Sequence, residues 1–295
     1  MERIEKRAYA KINLSLDVTG RRENGYHDVD MVMASIDLYD NLTFEKQEKG
    51  ITLECVNRTD LSCGEDNLIV KAVKSLREYT GFQGGVRILL EKNIPMAAGM
   101  AGGSTDCAAT LLAVNELYHL GLDIPTLCEL GTRLGADVPF CILGGTARAR
   151  GIGEVLEQKE NRLSPSIVLI KPTQGASTKE VYTALDAKQA VCHPDVEGML
   201  EALQTGNLEQ CCTKLGNVLE PVTEGFLPEV GEIRRELMKR GAKGAMMSGS
   251  GPTVFGLFED NEQAKLAAEW GKSLGEGYFS CVTGFVSRKE REHRI

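Results

Sequence analysis

Apolar and polar residues alternate strictly from Ala10 to Val18. Ala10, Ile12, Leu14, Leu16 and Val18 fall on one face, and Lys11, Asn13, Ser15 and Asp17 on the other. A period of two over this length predicts a half-buried strand. It also sets Lys11 and Asn13 side by side on the polar face. The loop TGRRENGYHD follows, with a turn signal at Asn24-Gly25. Val29 to Glu45 then predicts two strands, broken near Asp40-Asn41. Asp66 to Tyr79 carries Leu68, Ala72, Val73 and Leu76 at helical spacing, and GGVRILLEKNIP predicts a strand that stops at Pro95.

The pattern then lapses. Ala97 to Gly103 contains glycine and alanine with a single methionine. Helical spacing resumes over Ser104–Leu120 with Ala108, Leu111, Leu112 and Tyr118, and Ser104 or Thr105 is the expected N-cap. IPTLCELGTRLG predicts a short helix with Gly135 as its C′ residue. ADVPF follows, and CILGGTARARGIGEVLE predicts strands around a Gly144-Gly145 turn. The polar segment EQKENRLSPS marks a boundary between two halves, 1–160 and 161–295.

The second half opens with the strand IVLIK and the polar loop PTQGAST. Helices are expected around Val181–Leu185, Val196–Leu203, Leu208–Leu215 and Pro228–Arg240. GAMMSGSGPTVFGLF is a strand, a glycine turn and a strand. Asp260 caps a helix reaching Trp270, and GYFSCVTGFV is a closing strand. Grouped together, these elements run β-α-β-β-α-β, the split pattern of ferredoxin-like domains.

Composition narrows the function. The 295 residues are 42% hydrophobic and 26% charged, an ordinary globular balance that supports one large domain or two packed ones. A formal charge of −8 argues against nucleic acid as the main partner, because that role needs a basic face. It leaves room for a small polyanion held by a local cluster of donors. Nine cysteines without C-x-x-C spacing imply reduced cytosolic thiols, and four dispersed histidines give no zinc signature. The start has no long apolar region, and no apolar run reaches the length of a membrane span, so neither a signal peptide nor a membrane segment is expected.

The bare stretch before Ser104 is the strongest chemical signal. A helix N-terminus offers unpaired N–H groups and partial positive charge, and glycines let an anion approach the backbone. A tight connection packed in a core is the alternative. The strand–loop–capped-helix context favours the anion site. Its spacing fits neither common phosphate loop. The only Gly-Lys-Ser, Gly271-Lys272-Ser273, ends a helix and has Leu266 where a Walker A loop needs glycine. Glycines at 99, 102 and 103 do not make G-x-G-x-x-G, and the nearest later acid, Glu116, lies within the helix.

Taken together, Pro95–Thr105 (P-x-x-x-G-x-x-G-G-S-T), GADVPF around Asp137 and SGSGPTVF from Ser248 resemble the motifs of the GHMP kinase superfamily over essentially the whole chain. Within it, AYAKINLSLDVTGRRENGYHDV, the Asp66–Leu68 DNL, the loop and the P…GAST segment from Pro172 are similar to the branch acting on 4-(cytidine 5′-diphospho)-2-C-methyl-D-erythritol. The chain departs from the usual pattern at Ala97, Ala98 and Ala101, where glycine is commoner, and at Met100 and Thr105.

The resemblance implies an α+β, two-domain GHMP kinase fold. Its N-terminal mixed domain is of the ribosomal-protein-like type, and its C-terminal domain is ferredoxin-like. It implies a cytoplasmic, ATP- and Mg2+-dependent kinase of the non-mevalonate isoprenoid pathway, a monomer or weak homodimer. Its partners would be ATP and a cytidine-diphosphate sugar alcohol, with no nucleic acid and no membrane. A homoserine- or mevalonate-type kinase is the alternative, and a nucleotide-binding regulatory protein without catalysis is a second.

The resemblance also assigns roles. Asp137 matches the catalytic base and Lys11 the catalytic lysine; a solvated strand lysine and a turn-capping aspartate are the plain alternatives. Asn13 would orient the hydroxyl or Lys11. Tyr26 and His27 match the nucleobase pair. Pro95, Met96, Ala97, Ala98, Gly99, Met100, Ala101, Gly102, Gly103, Ser104 and Thr105 would cradle the ATP phosphates, with Ser104 also able to reach the metal. No metal ligand set is assigned. The Ser248–Gly251 turn supports the loop or the substrate, or is a simple hairpin turn, and Thr173 and Ser177 are further substrate candidates.

Overall fold

The computed structural model describes residues 2–187 and 192–293. In chain order the elements are β1 (Arg3–Arg21), β2 (His27–Gln47), β3 (Ile51–Cys55), α1 (Leu68–Thr80), β4 (Gly85–Glu91), α2 (Gly102–Leu117), α3 (Ile124–Leu134), α4 (Val138–Leu143), β5 (Thr146–Gly151) and β6 (Val155–Lys159). They continue with β7 (Ser166–Lys171), α5 (Thr178–Asp186), α6 (Val196–Thr205), α7 (Leu208–Lys214), β8 (Gly216–Asn217), α8 (Glu220–Phe226), α9 (Glu229–Lys239), β9 (Gly244–Met247), β10 (Val254–Phe258), α10 (Asn261–Ser273), β11 (Phe279–Thr283) and α11 (Arg288–His293).

The first sheet has seven strands with the path β3-β4-β2-β1-β8, and β5 and β6 extend from β2. The second has the order β11-β7-β10-β9, antiparallel throughout, which is the arrangement expected of a ferredoxin-like unit. Helices α1 and α2 pack together against the first sheet. Val73, Leu76, Ile88, Leu111 and Val114 are fully buried between them, each worth about 2 kcal/mol of apolar burial. The loop between β4 and α2 is therefore suspended between two rigid anchors.

Several sequence expectations change. Val29–Glu45 forms one long strand, β2, with no break at Asp40-Asn41. What changes there is the partner: residues 29–34 pair with β5, and residues 41–47 with β4. Asp40 is fully buried, and its Oδ1 accepts from the N–H groups of Asn93 at 2.6 Å and Ile94 at 2.8 Å. A buried carboxylate thus imitates a turn signal. The polar face of β1 is not solvated either, for Lys11, Asn13, Ser15 and Asp17 are all buried. The second half reaches this strand: His193 Nδ1 lies 2.7 Å from Asp17 Oδ1, and β8 pairs in parallel with Ser15 and Leu16 along its edge.

ADVPF leads into the short helix α4, so Gly144-Gly145 joins a helix to β5 and does not turn a hairpin. Helix α2 starts at Gly102. Its cap position is Ala101, with φ 58° and no side-chain capping bond, so neither Ser104 nor Thr105 is the N-cap. Strands β3 and β8 and helices α8 and α11 are too short or too polar to show a clear periodicity.

Candidate active site

One large cleft, about 1210 Å3, joins the segments singled out above. Lys11 and Asn13 reach it from β1, Tyr26 from the β1–β2 connection, His27 from the start of β2, Pro95–Gly99 and Ala101–Ser104 from the entry and first turn of α2, and Asp137 from the entry to α4.

The reactive end is built on Lys11. It is 5% exposed, and its Nζ donates to Asn13 Oδ1 at 2.7 Å and lies 3.6 Å from Asp137 Oδ2. The two-residue spacing predicted the first contact. The second comes from the fold, across 126 positions of chain. Asp137 occupies the N-cap position of α4 without making a capping bond, so its carboxylate is left to the cleft and Lys11. The capping alternative is thereby excluded.

Next to this pair lies the N-terminus of α2. The first intrahelical bond runs from Thr105 N to Ala101 O at 2.9 Å. The N–H groups of Gly102, Gly103 and Ser104 precede it and have no carbonyl one turn back. All three residues line the cleft, and so do Pro95, Met96, Ala97, Ala98, Gly99 and Ala101. An uncapped helix end lined by its own glycines is suited to an anion. Met100 and Thr105 are the two loop residues whose side chains turn away. Met100 is buried and its carbonyl accepts from Lys11 N at 3.3 Å; Thr105 Oγ1 donates to Tyr9 O at 2.7 Å. Both tie the loop to β1.

The Ser248–Gly251 turn, between β9 and β10, is more than a hairpin turn. Ser248 Oγ donates to Gly99 O at 3.0 Å and accepts from Asn13 N at 3.3 Å. The turn is held from behind. Asn217 Nδ2 donates to Met247 O at 2.9 Å and Gly249 O at 2.8 Å, and Thr223 Oγ1 donates to Ser250 O at 3.2 Å. Gly249 and Ser250 line the cleft themselves.

At the far end, Tyr26 is 57% exposed and projects from its turn. The His27 imidazole lies 4.9 Å from the Tyr182 ring and 2.7 Å, through Nε2, from Asp186 Oδ1. Burial raises the Tyr182 phenol well above its usual range, so it remains a neutral ring. Thr173 and Ser177 are not among the residues lining the cleft. Thr173 Oγ1 donates to Glu276 O at 3.3 Å, and Ser177 caps α5 through Glu180 N at 3.4 Å.

The sequence reading missed Lys92, Asp40 and Asp106, which form a buried ion cluster beside the N-terminus of α2. Lys92 Nζ contacts Asp40 Oδ2 and lies 2.6 Å from Asp106 Oδ2. Burial opposes charge on Lys92, but the two carboxylates outweigh it and hold the ammonium pKa above its usual value. Burial drives the Asp106 carboxyl well above the usual carboxylate range against the pull of Lys92. Lys92 and Asp106 both line the cleft. Tyr182 and Asp186 were also missed, because nothing local distinguishes them from the polar surface of a short helix.

All nine cysteines are free. Burial pushes the Cys141 thiol up to about 12, so it stays protonated near Lys11 and Asp137. Among the described residues no group of three or more His, Cys, Asp or Glu could cage a metal ion, and no helix is long and apolar enough to cross a membrane.

Comparison with known proteins identifies the family. The family model for the GHMP kinases N terminal domain matches residues 67–145, and that for the GHMP kinases C terminal matches residues 187–276. A 4-diphosphocytidyl-2-C-methyl-D-erythritol kinase from Clostridium novyi is 45% identical over 90% of this chain and 95% of its own. One from Pelotomaculum thermopropionicum is 48% identical over 88% and 91%. A crystal structure of 4-(cytidine 5′-diphospho)-2C-methyl-D-erythritol kinase superposes with a TM-score of 0.80 at 37% identity, covering 95% of this chain and 99% of that one. A homoserine kinase from Cytophaga hutchinsonii shares the fold, with a TM-score of 0.78 at 18% identity over 98% and 96%. With a GHMP kinase model matching part of each half, and with relatives 45% and 48% identical over 90% and 88% of its length, the chain belongs to the GHMP kinase family.

Proposed function

We propose that the chain transfers the γ-phosphoryl group of ATP to the 2-hydroxyl of 4-(cytidine 5′-diphospho)-2-C-methyl-D-erythritol, giving the 2-phosphate and ADP, a step of the non-mevalonate isoprenoid pathway. The observation that carries this reading is a single cleft with an Asp137–Lys11–Asn13 cluster at one end and an aromatic Tyr26–His27–Tyr182 end. The relatives named above support the choice of substrate. A homoserine or mevalonate kinase would have no use for the aromatic end.

Phosphoryl transfer asks mainly for positioning and for neutralisation of spreading charge. Asp137 accepts the hydroxyl proton as the new O–P bond forms and the bond to ADP breaks. The Lys11 ammonium offsets charge on the attacking oxygen and on the transferred group. Asn13 holds Lys11 in place through the 2.7 Å contact. The N–H groups of Gly102, Gly103 and Ser104 would bind ATP phosphates. A Mg2+ ion would be held chiefly by those phosphates and water, with Ser104 as its protein ligand. On this reading, residues 1–160 form the ATP-binding domain and 161–295 the ferredoxin-like domain of a cytoplasmic monomer or weak homodimer.

The test is ADP release at saturating Mg2+-ATP with the cytidyl substrate, homoserine and mevalonate offered separately. Turnover confined to the cytidyl substrate is expected; none with it, or faster turnover of another alcohol, overturns the proposal.

A further inference from the structure

Asp186 lies in the last turn of α5, 159 positions from His27, yet its Oδ1 is 2.7 Å from His27 Nε2. Its Oδ2 is 3.3 Å from Arg21 Nη1, which fixes the carboxylate from the other side. A carboxylate only accepts hydrogen bonds, so the short contact calls for the proton on Nε2. The His27 side chain is 9% exposed and lines the cleft. Among the described residues, its protein hydrogen bond is to Asp186 alone, which leaves Nδ1 for whatever enters the cleft. Tyr182 packs on the ring at 4.9 Å and 38°, limiting its rotation.

A neutral imidazole carrying its proton on Nε2 presents a lone pair at Nδ1. That lone pair attracts an amino group and repels a carbonyl oxygen. Cytosine carries an exocyclic amine where uracil carries a carbonyl oxygen, so one atom is enough to tell them apart. We infer that Asp186 is a positioning residue that holds His27 as the Nε2–H tautomer and so sets the preference for an amino-bearing pyrimidine over its keto counterpart. The inference rests on the reading above that Tyr26 and His27 hold the nucleobase.

Two readouts test it. In the free protein at pH 8, nitrogen-15 spectra of the His27 ring should show one tautomer with Nδ1 unprotonated in the parent and in Asp186→Asn, which keeps an acceptor. Asp186→Ala should show a tautomer mixture. In turnover, the parent should prefer the cytidyl substrate over its uridyl counterpart by about 100-fold or more in kcat/KM. Asp186→Ala should narrow that ratio by about tenfold or more through KM, with kcat little changed, and Asp186→Asn should recover most of it. A protonated Nδ1 in the parent overturns the inference, and so does an unchanged base preference in Asp186→Ala. Turnover of neither substrate would instead sink the proposed function, while the spectra of the free protein would still decide whether Asp186 governs His27.

Discussion

Replacing Gly99 by alanine should cost more than any ordinary glycine substitution in this chain. Gly99 has φ +73°, and a Cβ built there would lie 2.2 Å from Ser248 O and 3.0 Å from Gly251 N. Two penalties add. The left-handed conformation costs an alanine about 1 kcal/mol. The clash is with backbone, so the two glycine turns must separate by roughly an ångström, which costs about 1–3 kcal/mol more. Gly121 separates these terms, because it has φ +72° and nothing within 4 Å of its would-be Cβ. At about 2 °C per kcal/mol for a chain of this length, Gly121→Ala should lower Tm by about 2 °C, and Gly99→Ala by about 4–8 °C. Activity should diverge further. Parting the turns breaks the Ser248 bonds to Gly99 O and Asn13 N, so Gly99→Ala should lose about 100-fold or more in kcat/KM while Gly121→Ala keeps parental turnover. Calorimetry and ADP release read both. Equal Tm losses in the two variants would refute the close-approach argument, whatever the activities.

Asp137→Asn should keep its KM for ATP within about threefold yet lose about 10²–10⁴ in kcat; parental turnover would remove Asp137 as the base. Ala97 and Ala101 sit at φ 49° and 58°, so Ala97→Gly and Ala101→Gly should each stabilise the protein by about 0.5–1 kcal/mol. Thermal unfolding reads this, and a fall in Tm for both would show that their strain is relieved elsewhere. Burial raises the Glu220 carboxyl above 4.5, even though Met247 N and Arg234 favour its charged form. A raised folded-state pKa gives stability that is present below the unfolded value and lost as pH rises through the folded one. In urea titrations the parent should therefore lose stability relative to Glu220→Gln as pH climbs from about 4.5; a gap that does not change with pH would contradict this.

The legible parts of the molecule were those whose reason is local. Alternation revealed β1 and the Lys11–Asn13 pairing because both depend on a two-residue period. The ferredoxin-like half was legible because each of its strands is a short apolar run bounded by glycine, proline or a capping aspartate. Legibility failed wherever a polar residue was satisfied from far away. Asp40 looked like a turn because its partners are the backbone of Asn93 and Ile94 and the ammonium of Lys92, some fifty positions on. Ser104 looked like a cap because serine before a helix usually is one. Here Ala101 takes the cap position without a side-chain bond, which leaves the helix donors to the cleft.

The same distinction explains why the Ser248 turn could be recognised but not interpreted. Its glycines are visible in the chain; its partners lie 149 and 235 positions away. Phosphoryl transfer needs the phosphate bed and the hydroxyl-activating groups placed to within about half an ångström of each other. On the proposed mechanism Gly99 belongs to the bed, and Asn13 holds Lys11. One hydroxyl from the second half bonds to both, so the relative position of the two reacting partners depends on how that half docks. Asn217 and Thr223 brace the turn from behind and never reach the cleft. Motions that loosen the docking should therefore weaken catalysis, because they shift Gly99 and Asn13 relative to each other.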